Sequence, residues 1–481
     1  METCTYPQPR QHIAGQWRDG TGALACTVVN PANELTLASF QAASDDDIAQ
    51  AVAASAAAFP VWAARSAFER GQIMRAAAQR LRESAQQSAM RLTLEQGKPL
   101  AEAMREIAQA ADVIDWFAEE GRRAYGRVIP ARAPNIQQWV VQKPVGPVAA
   151  LTPWNFPVML SACKLAAALA AGCTVVLKPA EETPAVVMAL VDAFVESGTP
   201  SGVVQMLIGD PGRISSALIA SAAIRKVSFT GSINVGRLLG EQAGRHLTRV
   251  TLELGGHAPV VVCEDADLEG ALDVLAGFKF RNAGQICANP SRFYVHRSLY
   301  PRFVEGFAAR ACAVKIGDGF APDTQMGPLA SRRRVEQMAA LVDDARGAGA
   351  RVVCGGERAP HAGFFFQPTV LADVPETARV MNDEPFGPVV PIASFDSLDE
   401  VIERANRLPV GLAAYAFTHS IRNADRLADA LEAGAVGINS VAVLQPETPF
   451  GGVKDSGFGK ENGIEGLQDY LCAKFVSRSF S

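Results

Sequence analysis

Two short strings in this chain carry residue types able to act together as a base and a nucleophile. Glu253-Leu254-Gly255-Gly256 offers a carboxylate able to act as a base. Gly284-Gln285-Ile286-Cys287, whose cysteine lies 34 residues after Glu253, offers a thiol able to act as a nucleophile. Glycine beside each lets backbone and ligand approach closely. A third string, Thr152-Pro153-Trp154-Asn155-Phe156-Pro157, places a side-chain amide between two aromatic residues, and an amide N–H is a suitable donor to an oxyanion. Taken singly, each residue has a plainer reading. A cysteine is most often a small buried hydrophobe, a lone glutamate an ion-pair partner, and an asparagine before proline a turn residue.

These groups need a scaffold, and the pattern around them supplies one. From residue 145 onward, short apolar, partly β-branched runs alternate with helical segments. The runs are 148–151, 174–177, 203–207 and 226–229; the segments include 164–171 and 184–197. That alternation argues for a parallel α/β sheet. A second series follows Gly256, with candidate strands at 259–262, 293–296, 351–354 and 389–394. Upstream, Ser44-x-x-Asp47 opens an alanine-rich helix as a capping-box variant. Residues 69–125 read as long amphipathic helices broken near Gly97-Lys98-Pro99. A connector at 126–134 leads to a strand at 136–142, and 471–477 reads as a final strand.

A sheet of this kind binds ligands at strand carboxyl ends. No GxGxxG follows any strand, so the usual dinucleotide fingerprint is absent. Two strand-end motifs stand instead. Lys178-Pro179-Ala180-Glu181 closes the run at 174–177, and Phe229-Thr230-Gly231-Ser232 closes the run at 226–229 and opens a helix at 233–244. Free N–H groups at such a helix start suit a pyrophosphate. Each motif alone is equally a plain cap or a solvated charge.

At 481 residues the chain exceeds one ordinary core, so two or three domains are expected. Charged residues make up 20% and the net charge is −5. With no long Lys/Arg run, neither nucleic acid nor an anionic membrane surface is an expected partner. The nine cysteines form no CxxC pair and no zinc-like cluster, so no metal site is expected and a reducing compartment is. Eight of them (Cys4, Cys26, Cys163, Cys173, Cys263, Cys312, Cys354 and Cys472) read as inert thiols. The N-terminus lacks an apolar signal region. The longest apolar stretch, 165–177, falls short of the roughly 18–20 residues that span a bilayer. The expected location is the cytoplasm.

Together the strings resemble the NAD(P)-dependent aldehyde dehydrogenase superfamily, nearly end to end. The resemblance implies a Rossmann-like NAD-binding domain (1–122 and 144–254), an α/β catalytic domain (255–455) and a small β oligomerisation element (123–143 and 456–481), assembled as a homodimer or homotetramer. An edge strand as long as 471–477 is a liability in a monomer, which agrees with an oligomer. Cys287 would attack the aldehyde, the Asn155 amide and the Cys287 N–H would hold the oxyanion, and Glu253 would activate water to release the acid. Partial burial at the sheet end would raise Glu253 into the range of a useful base. Acylating relatives that pass the thioester to coenzyme A typically lack this glutamate, so hydrolysis is implied.

The same resemblance implies cofactor contacts at Trp154, Lys178, Pro179, Ala180, Glu181, Gly231, Ser232 and Leu254. Glu384 and Phe386, in Glu384-Pro385-Phe386-Gly387-Pro388, would meet the nicotinamide ribose and ring. A carboxylate at Glu181 accepts from ribose hydroxyls and repels a 2′-phosphate, so NAD is expected in preference to NADP.

Within the superfamily the chain is similar to the succinate-semialdehyde and 2-oxoglutarate-semialdehyde dehydrogenases. The similarity rests on Trp116-Phe117-Ala118-Glu119-Glu120-Gly121-Arg122-Arg123, Lys279-Phe280-Arg281-Asn282-Ala283-Gly284-Gln285 and Pro449-Phe450-Gly451-Gly452-Val453-Lys454. Such substrates carry a distal carboxylate, which Arg281 would anchor, about 9 Å from Cys287 if the segment is helical. Two further anchors of that branch are missing: Cys163 and Leu444 stand where arginine and serine often occur. A non-carboxylated aromatic or aliphatic aldehyde is the alternative. Ala288 after the nucleophile removes the adjacent-cysteine disulfide switch of some relatives. Two other classes stay open. A cysteine hydrolase would need a histidine base, and none of His12, His246, His257, His296, His361 and His419 sits in a matching motif. A non-catalytic protein on the same fold is the other.

Overall fold

The computed structural model describes residues 6–360 and 362–480; Cys4 and His361 lie outside the described residues. Three sheets organise the chain. The first has eight strands, its parallel heart running Val204–Met206, Val175–Lys178, Val148–Leu151, Lys226–Gly231 and Arg249–Leu254. Antiparallel strands Gln11–Ile13 and Gly457–Phe458 join its two sides. The second has seven strands, centred on Arg292–His296 and Pro259–Val262. The third pairs Leu471–Ser479 with Ile136–Pro144 over nine residues, with Arg127–Ile129 beyond.

The first sheet is covered on both faces, and the period-2 alternation of a strand is legible in what each side chain joins. Val148, Ala150, Val175 and Leu177 pack into one core with the helices Ala67–Glu83 and Leu100–Glu120. Ala149, Leu151 and Val176 point the other way, toward Ile48, Val52, Ile214 and Leu218. The helix Pro157–Ala171 is buried at every residue. Its six alanines let neighbouring helices and the sheet approach from all sides, which larger side chains would prevent.

Most expected strands occur within a residue or two, but the helix expected at 164–171 begins at Pro157, the helices expected to run to 125 end at Glu120, and the connector expected at 126–134 holds the strand Arg127–Ile129. Ser44 and Asp47 form the reciprocal capping box of the helix Asp45–Ala64. The helical region breaks at Gly97, whose φ of 89° suits glycine, and also at Ser84. The strands Thr369–Ala372, Ala413–Phe417 and Ala435–Ile438 had no expectation. They are too short to separate from buried helix by periodicity alone.

Two expectations are corrected. Cys312 and Cys354 are not separate inert thiols: they are joined in a disulfide, Cα–Cα 6.2 Å. The end of the helix Tyr300–Ala313 meets the edge strand Arg351–Cys354, a juxtaposition 42 residues apart in sequence that spacing does not reveal. Also, the segment with the greatest span-like character is Asp45–Ala64, not 165–177: it is long and apolar enough to cross a membrane by length and composition. It uses that apolarity to bury Ile48, Ala51, Val52, Ala58 and Trp62 within the protein.

Candidate active site

The strand order of the first sheet reverses at Val148–Leu151. The chain passes to one side through Val175–Lys178 and Val204–Met206, then returns to the other side with Lys226–Gly231. A crevice opens outside the carboxyl ends at such a switch point. A cavity of about 320 Å³ lies there. Trp154 and Asn155 enter it from the Val148–Leu151 strand end, Gly231 and Ser232 from Lys226–Gly231, and Glu253, Leu254 and Gly255 from Arg249–Leu254. Cys287, Glu384 and Phe386 close it from the second half of the chain.

Most site residues expected from sequence therefore share one cavity. Lys178, Pro179, Ala180 and Glu181 do not line it. They stand at the end of the adjacent strand, where Lys178 Nζ meets Glu181 Oε2 at 2.6 Å. Arg281 does not line it either, and the expected helical spacing to Cys287 is corrected. The segment Arg281–Gly284 is a 3-10 turn in which Asn282 and Ala283 take left-handed conformations, φ 48° and 52°. Gly284 continues at φ 75°, and a Cβ there would come within 2.2 Å of the Gly387 carbonyl oxygen. The turn reverses the chain so that Cys287 faces the cavity instead of continuing the preceding helix. Arg281's guanidinium lies over the Phe278 ring at 5.6 Å, and its Nε is buried without a partner.

Glu253 is 1% exposed, and the hydrogen-bonding group facing its carboxylate is the Cys287 thiol. Burial, then the Glu461 charge, raises its pKa to about 8, against the opposing pull of Lys164 and the Cys287 thiol. Burial also pushes the Cys287 thiol well up, reinforced by the charges of Glu253 and Glu384, while the Ala288 N–H works the other way. Two acids and a thiol thus share one desolvated space, in which the two carboxylates hold back ionisation of the thiol and Glu384 that of Glu253.

Glu384 is likewise raised to about 8, chiefly by burial, against Arg334 and the Gly256 N–H. Gly255 makes its position possible, because a Cβ there would stand 2.5 Å from Glu384 Oε2. Phe386 sits at φ 45°, with Trp154 edge-on at 5.7 Å. Arg334 holds this strained residue: its guanidinium donates to the carbonyls of Pro385 and Phe386 and covers the Phe386 ring at 5.4 Å.

The sequence reading passed over the groups behind the cavity. Lys164, fully buried, donates to Thr230 Oγ1 at 2.7 Å and to Glu461. This pair lies within the electrostatic reach of Glu253. Lys98 and Glu106 form a second buried pair, 2.5 Å apart. Arg333 and Arg334 bring positive charge to the cavity wall. Only Lys164 had a signal, as the neighbour of the anomalous Cys163.

No histidine of the described residues lines the cavity. His257 is buried, but both its ring nitrogens are engaged, by Ser291 Oγ and the Val380 carbonyl. A cysteine–histidine hydrolase therefore lacks its base here. No cluster of three or more metal-ligating side chains occurs among the described residues.

A nicotinamide cofactor fits this arrangement. Gly231 lines the cavity at a point where a Cβ would strike the Phe229 ring, the helix Ile233–Arg245 starts beside it, and buried carboxylates stand ready to accept from hydroxyls. Comparison with known proteins agrees. The aldehyde dehydrogenase family model matches residues 17–476. The chain is 51% identical over 476 residues to the 4-(hydroxymethyl)benzenesulfonate dehydrogenase TsaD1 of Comamonas testosteroni, covering 99% of each. It is 42% identical to the NADP(+) succinate-semialdehyde dehydrogenase GabD of Escherichia coli (strain K12), covering 96% of each. A crystal structure of an E. coli NADP-dependent enzyme superposes with a TM-score of 0.97 at 42% identity, covering 98% of each chain.

Proposed function

The chain belongs to the aldehyde dehydrogenase family and is an NAD(P)-dependent aldehyde dehydrogenase, and from that premise we propose that its substrate is an aldehyde bearing a distal acid group. The observation that carries this reading is Arg281, a half-buried guanidinium without a salt bridge among the described residues, which stands outside the cavity lining a short turn before Cys287, with the Glu102 charge within reach. A cation held this way suits a planar or tetrahedral anion. Semialdehydes of dicarboxylic acids are the first class. A second class, aromatic aldehydes with a sulfonate or carboxylate opposite the carbonyl, is favoured by Cys163 and Leu444. Both are uncharged and leave one anchor instead of three. The relative at 51% identity is named for a benzenesulfonate.

The chemistry follows from the cavity. The Cys287 thiol, once it has released its proton to solvent, adds as the thiolate to the carbonyl carbon, giving a thiohemiacetal whose oxyanion the Asn155 amide and the Cys287 N–H stabilise. When bound, NAD(P) supplies the acceptor for the hydride that leaves this carbon, so that a thioester remains on Cys287. Glu253, deprotonated, takes a proton from water as the water oxygen attacks the thioester. The acid leaves and the Cys287 thiolate is restored. Glu384 and Phe386 orient the reactive end of the cofactor, Arg334 fixes that turn, and Trp154, Gly231, Ser232 and Leu254 form the walls. Lys178, Pro179, Ala180 and Glu181 take the distant ribose, and the Glu181 carboxylate favours NAD over NADP.

The rest of the assignment follows the sheets. The first sheet and its helices form the cofactor domain, the second carries Cys287, and the third is the oligomerisation element. The strand Gly457–Phe458, which pairs with Arg249–Leu254, goes with the cofactor domain. The exposed Leu471–Ser479 strand suits a dimer or a dimer of dimers in the cytoplasm.

The test is NADH formation over succinate semialdehyde, glutarate semialdehyde, 4-formylbenzenesulfonate and benzaldehyde, with wild type and Arg281→Ala. A preference for acid-bearing aldehydes that Arg281→Ala abolishes supports the reading. Equal efficiency with benzaldehyde overturns it, leaving aldehyde oxidation intact.

A further inference from the structure

We propose that the buried Lys98–Glu106 pair is a positioning device for the Asn155 amide. The helix break at Gly97-Lys98-Pro99 is what delivers it. This rests on the reading of Asn155 as the oxyanion donor.

A lysine and a glutamate, each with a side chain 1% exposed, are costly to bury, so their surroundings must use both charges. Glu106 spends one oxygen on Lys98 Nζ at 2.5 Å. Its other oxygen accepts from the backbone N–H of Val158 at 2.9 Å and of Met159 at 3.3 Å. These are free donors at the start of the helix Pro157–Ala171, whose own N-cap residue, Phe156, supplies no side-chain cap. Lys98 Nζ donates to the Asn155 carbonyl oxygen at 2.8 Å and lies 4.1 Å from the centre of the Phe156 ring. The pair therefore grips four of the five residues after Trp154: Asn155 and Phe156 through Lys98, Val158 and Met159 through Glu106, with Pro157 between them.

The same turn reaches the nucleophile. Gln96 Oε1 accepts from the Lys98 N–H at 3.0 Å, and Gln96 Nε2 donates to Asn282 Oδ1 at 2.6 Å. Asn282 Nδ2 in turn donates to the Asn155 carbonyl at 3.0 Å and to the Gln285 carbonyl at 3.2 Å. Both lone pairs of the Asn155 carbonyl are thus occupied, one by Lys98 and one by Asn282. With its main chain fixed on both sides, Asn155 can turn only its side chain, and one amide hydrogen of that is committed to Gln285.

The break has the geometry this requires. Gly97 ends one helix at positive φ, and a Cβ there would meet Pro328 Cγ at 2.5 Å. Pro99 cannot continue the helix and caps the next one. Between them the chain turns inward, and Lys98, which a continuous helix would carry along its surface, points at the active-site loop.

The test is a double-mutant cycle between Lys98 and Asn155, read in kcat for aldehyde oxidation, with cofactor binding followed by fluorescence and folding by circular dichroism. Lys98→Met should lower kcat roughly 10- to 100-fold, the cost of a misplaced catalytic group, with cofactor affinity unchanged. In the Asn155→Ala background the same change should alter kcat less than twofold, because nothing is left to position. If Lys98→Met alone is not recovered folded, Lys98→Met with Glu106→Gln removes both charges, keeps the acceptor for Val158 and Met159, and enters the same cycle. An equal fold-loss in both backgrounds overturns the proposal and makes the pair merely structural. If Asn155→Ala itself leaves kcat intact, it is the oxyanion reading that fails.

Discussion

The Asn155 amide donates to the Gln285 carbonyl at 3.1 Å, across 130 residues of chain. The donor stands in the bend that follows the Val148–Leu151 strand of the first sheet, and the acceptor lies two residues before Cys287. One hydrogen bond thus sets the distance between the proposed oxyanion donor and the nucleophile. Asn155→Ala should reduce kcat by about 10²- to 10³-fold, the usual cost of losing one such donor. Cofactor affinity should stay as in wild type, which a fluorescence titration checks.

Glu253 should govern release of the acid, not its formation. In Glu253→Gln a rapid burst of NADH close to one per active site is expected in stopped flow, followed by a steady rate lowered at least roughly 10²-fold. In wild type the steady rate should climb with pH through about 8, as burial and the Glu461 charge delay loss of the Glu253 proton to that range. A pH-independent steady rate between 6 and 9 would contradict the assignment.

The same residue makes a prediction about stability. Between its ordinary pKa of 4.5 and its raised value of about 8, the folded chain holds the Glu253 proton more tightly than the unfolded chain does. Stability from this group therefore falls as pH rises across that window. Glu253→Gln keeps the shape without the charge. Its thermal midpoint should exceed that of wild type near pH 8 and converge with it toward pH 4.5, measured by differential scanning fluorimetry.

Arg281→Ala should raise KM for acid-bearing aldehydes roughly 10- to 100-fold, the worth of a charge-assisted hydrogen bond. KM for benzaldehyde should hardly move. Competitive inhibition by a simple dicarboxylate or arenesulfonate should weaken in parallel, which separates substrate binding from chemistry.

Glu181→Ser should narrow or reverse the preference for NAD by raising kcat/KM with NADP. The change frees the Lys178 ammonium from its 2.6 Å partner and leaves a cation beside the 2′-phosphate. Steady-state comparison of the two cofactors decides it.

Local patterning carried much of this protein. Alternating apolar runs placed Val148–Leu151 and Pro259–Val262, Ser44 and Asp47 placed a helix start, and Gly97-Lys98-Pro99 placed a break. These follow from neighbours within a few residues, and a sequence displays them directly. Resemblance then gathered Cys287, Glu253, Asn155, Glu384 and Phe386, which the fold brings to one cavity. Three relationships waited for tertiary structure. Lys164 meets Glu461 across 297 residues, Lys98 reaches the Asn155 carbonyl across 57, and Cys312 bonds to Cys354. None has a local signature, because a buried charge or thiol looks in sequence like an exposed one until its partner is placed against it. Composition and spacing determined which groups were available. The crossing of distant elements, which removes water and sets charges against each other, decided which of them share a proton, a hydrogen bond or a cavity.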